Sequence, residues 1–145
     1  MGLAEDIGPG AVALDTVAFI YYIEDDPRYA PLLEPIFTRA GRDVTVVTSA
    51  MTLLEVLVLP FRRGQAQLAD RYDQLLTRSR GVTLVDITRH QLRAAASLRA
   101  VLPIKTPDAL QVVAATSTGC KVFITNDRRL PVIPGLRVIQ LSSYV

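Results

Sequence analysis

Four carboxylates in this sequence stand beside apolar segments. Asp15 directly follows the run Ala11-Val12-Ala13-Leu14, and Asp127 sits two residues past Val122-Phe123-Ile124-Thr125. Glu55 is embedded in Leu53-Leu54-Glu55-Val56-Leu57-Val58-Leu59, and Asp108 opens Ala109-Leu110-Gln111-Val112-Val113-Ala114-Ala115. A lone buried carboxylate is costly unless it is protonated, paired or bound to a metal. The segment around Glu55 is so apolar that its helix is expected to be nearly surrounded by protein. No comparable set of cations is embedded in apolar sequence, so a shared divalent cation accounts for the four acids better than ion pairing does. Oxygen-only ligands select hard ions such as Mg²⁺ or Mn²⁺. Such an ion can lower the pKa of a bound water, orient it for in-line attack on a phosphodiester and stabilise the leaving oxygen. The chemistry implied is phosphodiester hydrolysis without His or Cys.

Other chemistries lack their parts. One histidine, His90, cannot support a His-His acid-base pair, and with the single Cys120 it leaves too few soft ligands for a Cys/His zinc site. Each acid also has an ordinary structural alternative. Asp108 near a helix start complements the helix dipole. Glu55 could form a capping box with Thr52, Asp15 could cap the helix that follows it, and Asp127 could shape an Asn126-Asp127 turn.

The elements that must position these acids follow from apolar periodicity. Short β-branched runs at 11–14, 44–47, 82–85, 121–125 and 137–141 read as buried strands, and longer amphipathic stretches fill the gaps. Helices are expected over 16–23 and 30–40, separated by Glu24-Asp25-Asp26-Pro27, and then over 50–63 and 66–79. Thr88 and Gln91 form a capping-box pattern for a helix running to about Val101. Thr106-Pro107-Asp108 reads as N-cap, first and second positions of a helix ending before Gly119. This βαβ alternation predicts an α/β fold around a central parallel sheet of about five strands. With no linker, repeat or low-complexity segment, residues 1–145 are expected to form a single domain. In such a sheet, ligands bind beyond the carboxyl ends of the strands, which is where Asp15 and Asp127 fall.

Composition sets the class of partner. Half of the residues are hydrophobic and 21% are charged, which excludes a disordered chain, and no uninterrupted apolar run approaches the roughly 18 residues of a membrane span. Glu5 and Asp6 stand where a signal peptide would carry Lys or Arg, so a cytoplasmic protein is expected. Fourteen of the sixteen cations are Arg, the residue that grips phosphate in a planar fork. With the four acids set aside the remaining charge is clearly positive, a balance compatible with a polyanionic substrate.

The ordered set of motifs resembles the PIN domains, and among them the VapC-like toxins of type II toxin-antitoxin systems. Leu14-Asp15-Thr16 looks like the family's opening Asp-Thr step, and Thr48-Ser49 with Leu54-Glu55-Val56 like its Glu-bearing helix. Pro107-Asp108-Ala109-Leu110 looks like its Asp-Ala-Leu helix start, and Thr125-Asn126-Asp127 like its final Thr-x-Asp. The resemblance spans nearly the whole chain. It implies an endoribonuclease with a three-layer α/β/α fold, an acidic pocket that binds Mg²⁺ (or Mn²⁺), frequent homodimers, and inhibition by a small cognate antitoxin. Carried over, Asp15 and Asp108 are the leading metal ligands, Glu55 and Asp127 complete the site, and Thr125 orients Asp127 or a water. Many relatives place Asn or Ser where this chain has Val17, and some carry a further acid where it has Arg129; Arg128 or Arg129 is then a candidate contact to substrate phosphate. Two alternatives stay open: a non-catalytic PIN-type module that binds RNA or protein, and a housekeeping RNA-processing nuclease. A haloacid-dehalogenase-like phosphatase would need Asp at the position of Val17, and a dinucleotide enzyme would need its glycine fingerprint after a strand rather than Gly8-Pro9-Gly10 before one.

Overall fold

The computed structural model of the chain describes residues 2–145. Five strands form one all-parallel sheet: β1 (Gly10–Leu14), β2 (Val44–Ser49), β3 (Val82–Val85), β4 (Val122–Thr125) and β5 (Arg137–Gln140), in the spatial order β3-β2-β1-β4-β5. All five expected strands are present, β3 with the expected bounds and the others with ends shifted by at most two residues. The helices are α1 (Leu3–Ile7), α2 (Thr16–Ile23), α3 (Ala30–Arg39), α4 (Met51–Arg62), α5 (Ala66–Arg78), α6 (Arg89–Val101) and α7 (Thr106–Ser117). A 3₁₀ turn over Leu141–Tyr144 takes the last residue expected in β5.

Alternating strand residues divide the interior into two cores. Val12, Leu14, Val44, Val46 and Ile124 pack beneath α2 to α5, against Phe19, Leu33, Ile36, Val56, Tyr72 and Leu76. Ala13, Val47 and Phe123 face the opposite way, toward α6 and α7. This is the three-layer α/β/α arrangement, and it arises because successive side chains of a strand point to opposite faces. Helix α1 had no counterpart in the sequence reading, since five residues are too few to show a helical period. Its Leu3 is buried in the first core.

Two helix starts differ from expectation. The N-cap of α7 is Lys105, not Thr106, so Asp108 is the third helical residue. The Thr106 hydroxyl accepts a hydrogen bond from Arg99 Nη1 at 2.8 Å, and Arg99 Nε donates to the Ile104 carbonyl at 2.9 Å, so α6 anchors the segment that leads to Asp108. At α6, Thr88 caps the Gln91 N–H at 3.1 Å as expected, but the Gln91 side chain donates to Ser117 Oγ at 3.0 Å instead of closing a reciprocal box.

Among the described residues, no helix is long and apolar enough to cross a membrane.

Candidate active site

The chain runs β1, β2, β3 to one side of the sheet and then β4, β5 to the other, so the order reverses between β1 and β4. A cleft opens at such a reversal because the connections leave the two strand ends in opposite directions. Asp15 and Asp127 lie at the ends of these two strands.

Asp15 is the N-cap of α2, which bears out its capping alternative, yet its carboxylate reaches further. Oδ1 accepts the Thr16 N–H at 2.8 Å and Oδ2 accepts the Thr125 hydroxyl at 2.7 Å. Thr125 is fully buried, and the same oxygen accepts the Asp127 N–H at 3.0 Å. Thr125 thus holds Asp15 through its side chain and Asp127 through its backbone, binding the ends of β1 and β4 to one another. Burial pushes the Asp15 carboxyl above its ordinary value of 3.8, the hydrogen bonds from Thr125 and Thr16 oppose that rise, and the charge of Asp127 adds to it.

Asp108 is half-buried on the first turn of α7. Its carboxyl is also pushed up from 3.8, first by burial and then by the charges of Asp15 and Asp127; Arg129 opposes the rise and Glu55 adds a smaller push. Asp108 therefore lies within reach of the fields of the other three acids. They do not share a coordination shell in these positions: among the described residues, no three acids stand at metal-ligating spacing.

Two of the acids are turned to other partners. Asp127 is gripped by its neighbour Arg129, which donates from its backbone N–H at 2.9 Å, from Nε at 3.1 Å and from Nη2 at 3.3 Å. The turn alternative for Asp127 therefore holds as well, and the hydrogen bonds from Arg129 hold its carboxyl below the usual range. Glu55 accepts the Thr16 hydroxyl at 2.7 Å. Its expected burial is corrected: Glu55 is exposed, as are Leu54 (61%), Val58, Leu59 and Phe61 (66%) on the same helix. Helix α4 buries Thr52, Val56 and Pro60, packs Leu53 and Leu57 partly against the first core, and leaves an apolar flank in the open, so apolar sequence did not mean an enclosed helix. Thr52 lies inside α4, whose N-cap is Ala50, which removes the capping box with Glu55.

A cleft of about 70 Å³ lies between Asp108 and Asp127, walled by Pro103, Ile104, Lys105, Arg129 and Pro131. The larger hollow along Gly64–Leu68 is flanked by Glu24 and Arg71 and holds none of the four acids, so it is set aside as a site for their chemistry. Two cations, Lys105 and Arg129, thus stand at the acidic cleft. Arg128 is exposed and directed to the C-terminal turn, where Nη2 donates to Ser142 Oγ at 2.7 Å. Lys105 escaped the sequence reading, although its place two residues before Pro107-Asp108 was the available signal. His90 is exposed on the first turn of α6, and the Cys120 thiol is buried, away from the acids.

A buried polar network underlies the acids. Gln111, 2% exposed in the middle of α7, accepts the Ser49 N–H at 3.1 Å and the Thr48 hydroxyl at 3.2 Å through Oε1. Its Nε2 donates to Thr52 Oγ1 at 2.7 Å and to Thr16 Oγ1 at 3.4 Å. A glutamine between Leu110 and Val112 in an otherwise apolar helix was the sequence signal for it.

The sequence pattern of the PIN domain matches residues 12–136. No curated protein matches the chain. Solved structures with the same fold include a chain of VapBC2 from Rickettsia felis, in a complex bound to promoter DNA; it is 20% identical over 90% of this chain and 98% of that one, with a TM-score of 0.68. A toxin-antitoxin complex from Klebsiella pneumoniae supplies a second, 20% identical over 90% of this chain and 97% of that one, with a TM-score of 0.67. VapC20 of Mycobacterium tuberculosis, a toxin that cleaves the sarcin-ricin loop, matches at 15% identity over 81% of this chain and 91% of that one, with a TM-score of 0.64.

Proposed function

From the premise that the chain belongs to the PIN-domain family, we propose that it is a ribonuclease that hydrolyses RNA phosphodiester bonds with Mg²⁺ or Mn²⁺. The observation that carries this reading is the state of Asp15 and Asp108. Both are partly buried at the sheet's reversal point, and each is driven above its ordinary pKa by burial and by neighbouring acids. Two such carboxylates are stabilised together by a divalent cation, and an all-oxygen donor set suits a hard one.

In this reading Asp15 and Asp108 hold the ion, with Asp127 and Glu55 completing the site. When bound, Mg²⁺ or Mn²⁺ supplies Lewis acidity, which makes water a better nucleophile and neutralises charge gathering on the phosphate. Thr125 and the Thr16 N–H keep both oxygens of Asp15 fixed, so that carboxylate meets its ligand without reorganisation. Lys105 and Arg129 flank the cleft and supply positive charge for the phosphates on either side of the scissile bond. Arg128 is exposed but bonded to Ser142 and does not wall the cleft, so Arg129 is the better candidate of the two for a phosphate contact.

The solved relatives with this fold in toxin-antitoxin complexes support a toxin role, with a small antitoxin as partner. The exposed flank of Leu54, Val58, Leu59 and Phe61 supports a protein-binding surface beside Glu55, for an antitoxin or for a second copy in a homodimer. The Asp127–Arg129 pairing favours the second reading, a PIN-type module that binds RNA or protein without cutting it, because one of the four acids is already neutralised.

Cleavage of a panel of total and structured RNA by purified, partner-free protein separates the two. Assays contain Mg²⁺, Mn²⁺ or EDTA, and include Asp15→Asn and Asp108→Asn. Discrete cuts that require the metal and vanish in both variants are expected. A folded, RNA-binding wild type that never cuts would establish the module instead.

A further inference from the structure

The buried amide of Gln111 has a definite polarity, and its consequence reaches Glu55. An amide can be turned end for end unless a neighbour of unambiguous character fixes it. Here that neighbour is the Ser49 backbone N–H, which can only donate, so the group facing it at 3.1 Å is Oε1. Nε2 then faces Thr52 and Thr16 with two protons to give, and both hydroxyls act as acceptors toward Gln111.

Each threonine hydroxyl has one proton left. Thr48 gives its proton to Gln111 Oε1 at 3.2 Å, so the 2.7 Å contact between Thr48 and Thr52 is donated by Thr52. The ring from Gln111 to Thr52 to Thr48 and back is thereby closed, with every proton assigned in one sense. Thr16 receives from Gln111 and lies 2.7 Å from Glu55 Oε1, an oxygen that only accepts when ionised. Its remaining proton goes to Glu55, a charged acceptor at 2.7 Å that outcompetes Thr52 Oγ1 at 3.1 Å. Thr48, Thr52 and Gln111 are all buried, so water does not redirect the ring. Glu55 itself is exposed and would otherwise sample many rotamers.

We propose that Gln111 is a positioning residue for the metal centre: by donating to Thr16 it commits the Thr16 hydroxyl to Glu55 and holds that carboxylate toward Asp15 and Asp108. The inference rests on Glu55 serving as a metal ligand, as proposed above. Gln111 bonds none of the four acids and acts on Glu55 through Thr16, which it reaches directly at 3.4 Å and by way of Thr52, whose hydroxyl lies 3.1 Å from that of Thr16.

The test is a double-mutant cycle read by Mn²⁺ titration calorimetry on the full chain, without RNA. Thr16→Val and Gln111→Met are each expected to weaken Mn²⁺ binding about tenfold, the usual scale for groups that orient a ligand. The double variant is expected to be no weaker than Thr16→Val alone, because both changes cut the same chain of hydrogen bonds. Thr16→Ser, which keeps the hydroxyl, retains wild-type affinity. Losses that multiply in the double variant, or wild-type affinity in Gln111→Met, overturn the positioning role while leaving the metal site intact. Glu55→Gln provides the separate control: if it binds Mn²⁺ as wild type does, Glu55 is not a ligand and both readings fall. If Gln111→Met does not fold, side-chain amide NMR carries the test. Mg²⁺ must then move the Gln111 Nε2 signals in wild type and not in Thr16→Val, and signals that stay still in wild type overturn the proposal.

Discussion

Replacing Thr125 by valine keeps the shape of a buried, β-branched strand end and deletes one oxygen. That oxygen donates to Asp15 Oδ2 at 2.7 Å and accepts the Asp127 N–H at 3.0 Å. Thr125 is 0% exposed, so water cannot take its place. A hydrogen bond to a charged group contributes about 1.5–3 kcal/mol and a neutral one about 0.5–1.5 kcal/mol, which together give a loss of about 2–4 kcal/mol. For a chain of this size, at about 4 °C per kcal/mol, Tm falls by about 8–16 °C. Thr125→Ser is the matched control. It retains the oxygen, gives up one methyl group, and costs about 1 kcal/mol. Urea unfolding of the metal-free proteins measures both, and Mn²⁺ calorimetry shows whether the looser Asp15 still binds. If Thr125→Val lies within about 1 kcal/mol of wild type, or Thr125→Ser is the less stable of the two, the hydroxyl does not tie β1 to β4 and the account of Asp15 fails.

Further outcomes follow from the charges of the site. Asp108 has a folded pKa raised above 3.8, so the folded state binds its proton more tightly than the unfolded chain. The cost of ionising it is fully present at neutral pH and is relieved as pH falls through the raised value. Asp108→Asn should therefore make the metal-free protein at least as stable as wild type at neutral pH in urea unfolding, and Mn²⁺ should no longer raise its Tm. Because Asp15 and Asp108 must both be ionised to bind a cation, Mn²⁺ affinity should climb with pH above the ordinary carboxylate range and level off once both have lost their protons. Calorimetry that finds the plateau already reached near 3.8 would contradict the raised values. Arg129→Gln frees Asp127 from a competing cation, so Mn²⁺ binding should tighten about two- to fivefold, whereas Arg128→Gln, whose partner is Ser142, should leave it unchanged.

Much of the fold was legible in local sequence because its determinants are local. The strand runs declare themselves through β-branched residues over four or five positions, and their uniformly apolar character announces a sheet covered on both faces. Asp15 and Asp127 were legible as residues of the sheet edge for the same reason: the first directly follows such a run, the second stands two residues past one, and the carboxyl edge of a parallel sheet faces a cleft. The cap of α6 at Thr88 is a four-residue signal and is present, while the box it suggested is only half closed, because Ser117, on α7, competes for Gln91.

What the sequence by itself determined, then, is the five strands, the helices from α2 to α7, and the sheet edge at which Asp15 and Asp127 stand. Tertiary structure alone decided the distant partners, Thr125 for Asp15 and Thr16 for Glu55. Glu55 lies in apolar sequence yet is exposed, because exposure depends on whether another element covers that flank of α4, and none does among the described residues. The contacts that set the site are long in sequence: Asp15 to Thr125 spans 110 residues, and Thr16 to Gln111 spans 95. No periodicity over a helix or strand encodes such a pairing. It exists because the order β3-β2-β1-β4-β5 brings the ends of β1, β2 and β4 together beneath the first half of α7, where buried Thr125 reaches Asp15 and buried Gln111 reaches Thr48, Ser49, Thr52 and Thr16.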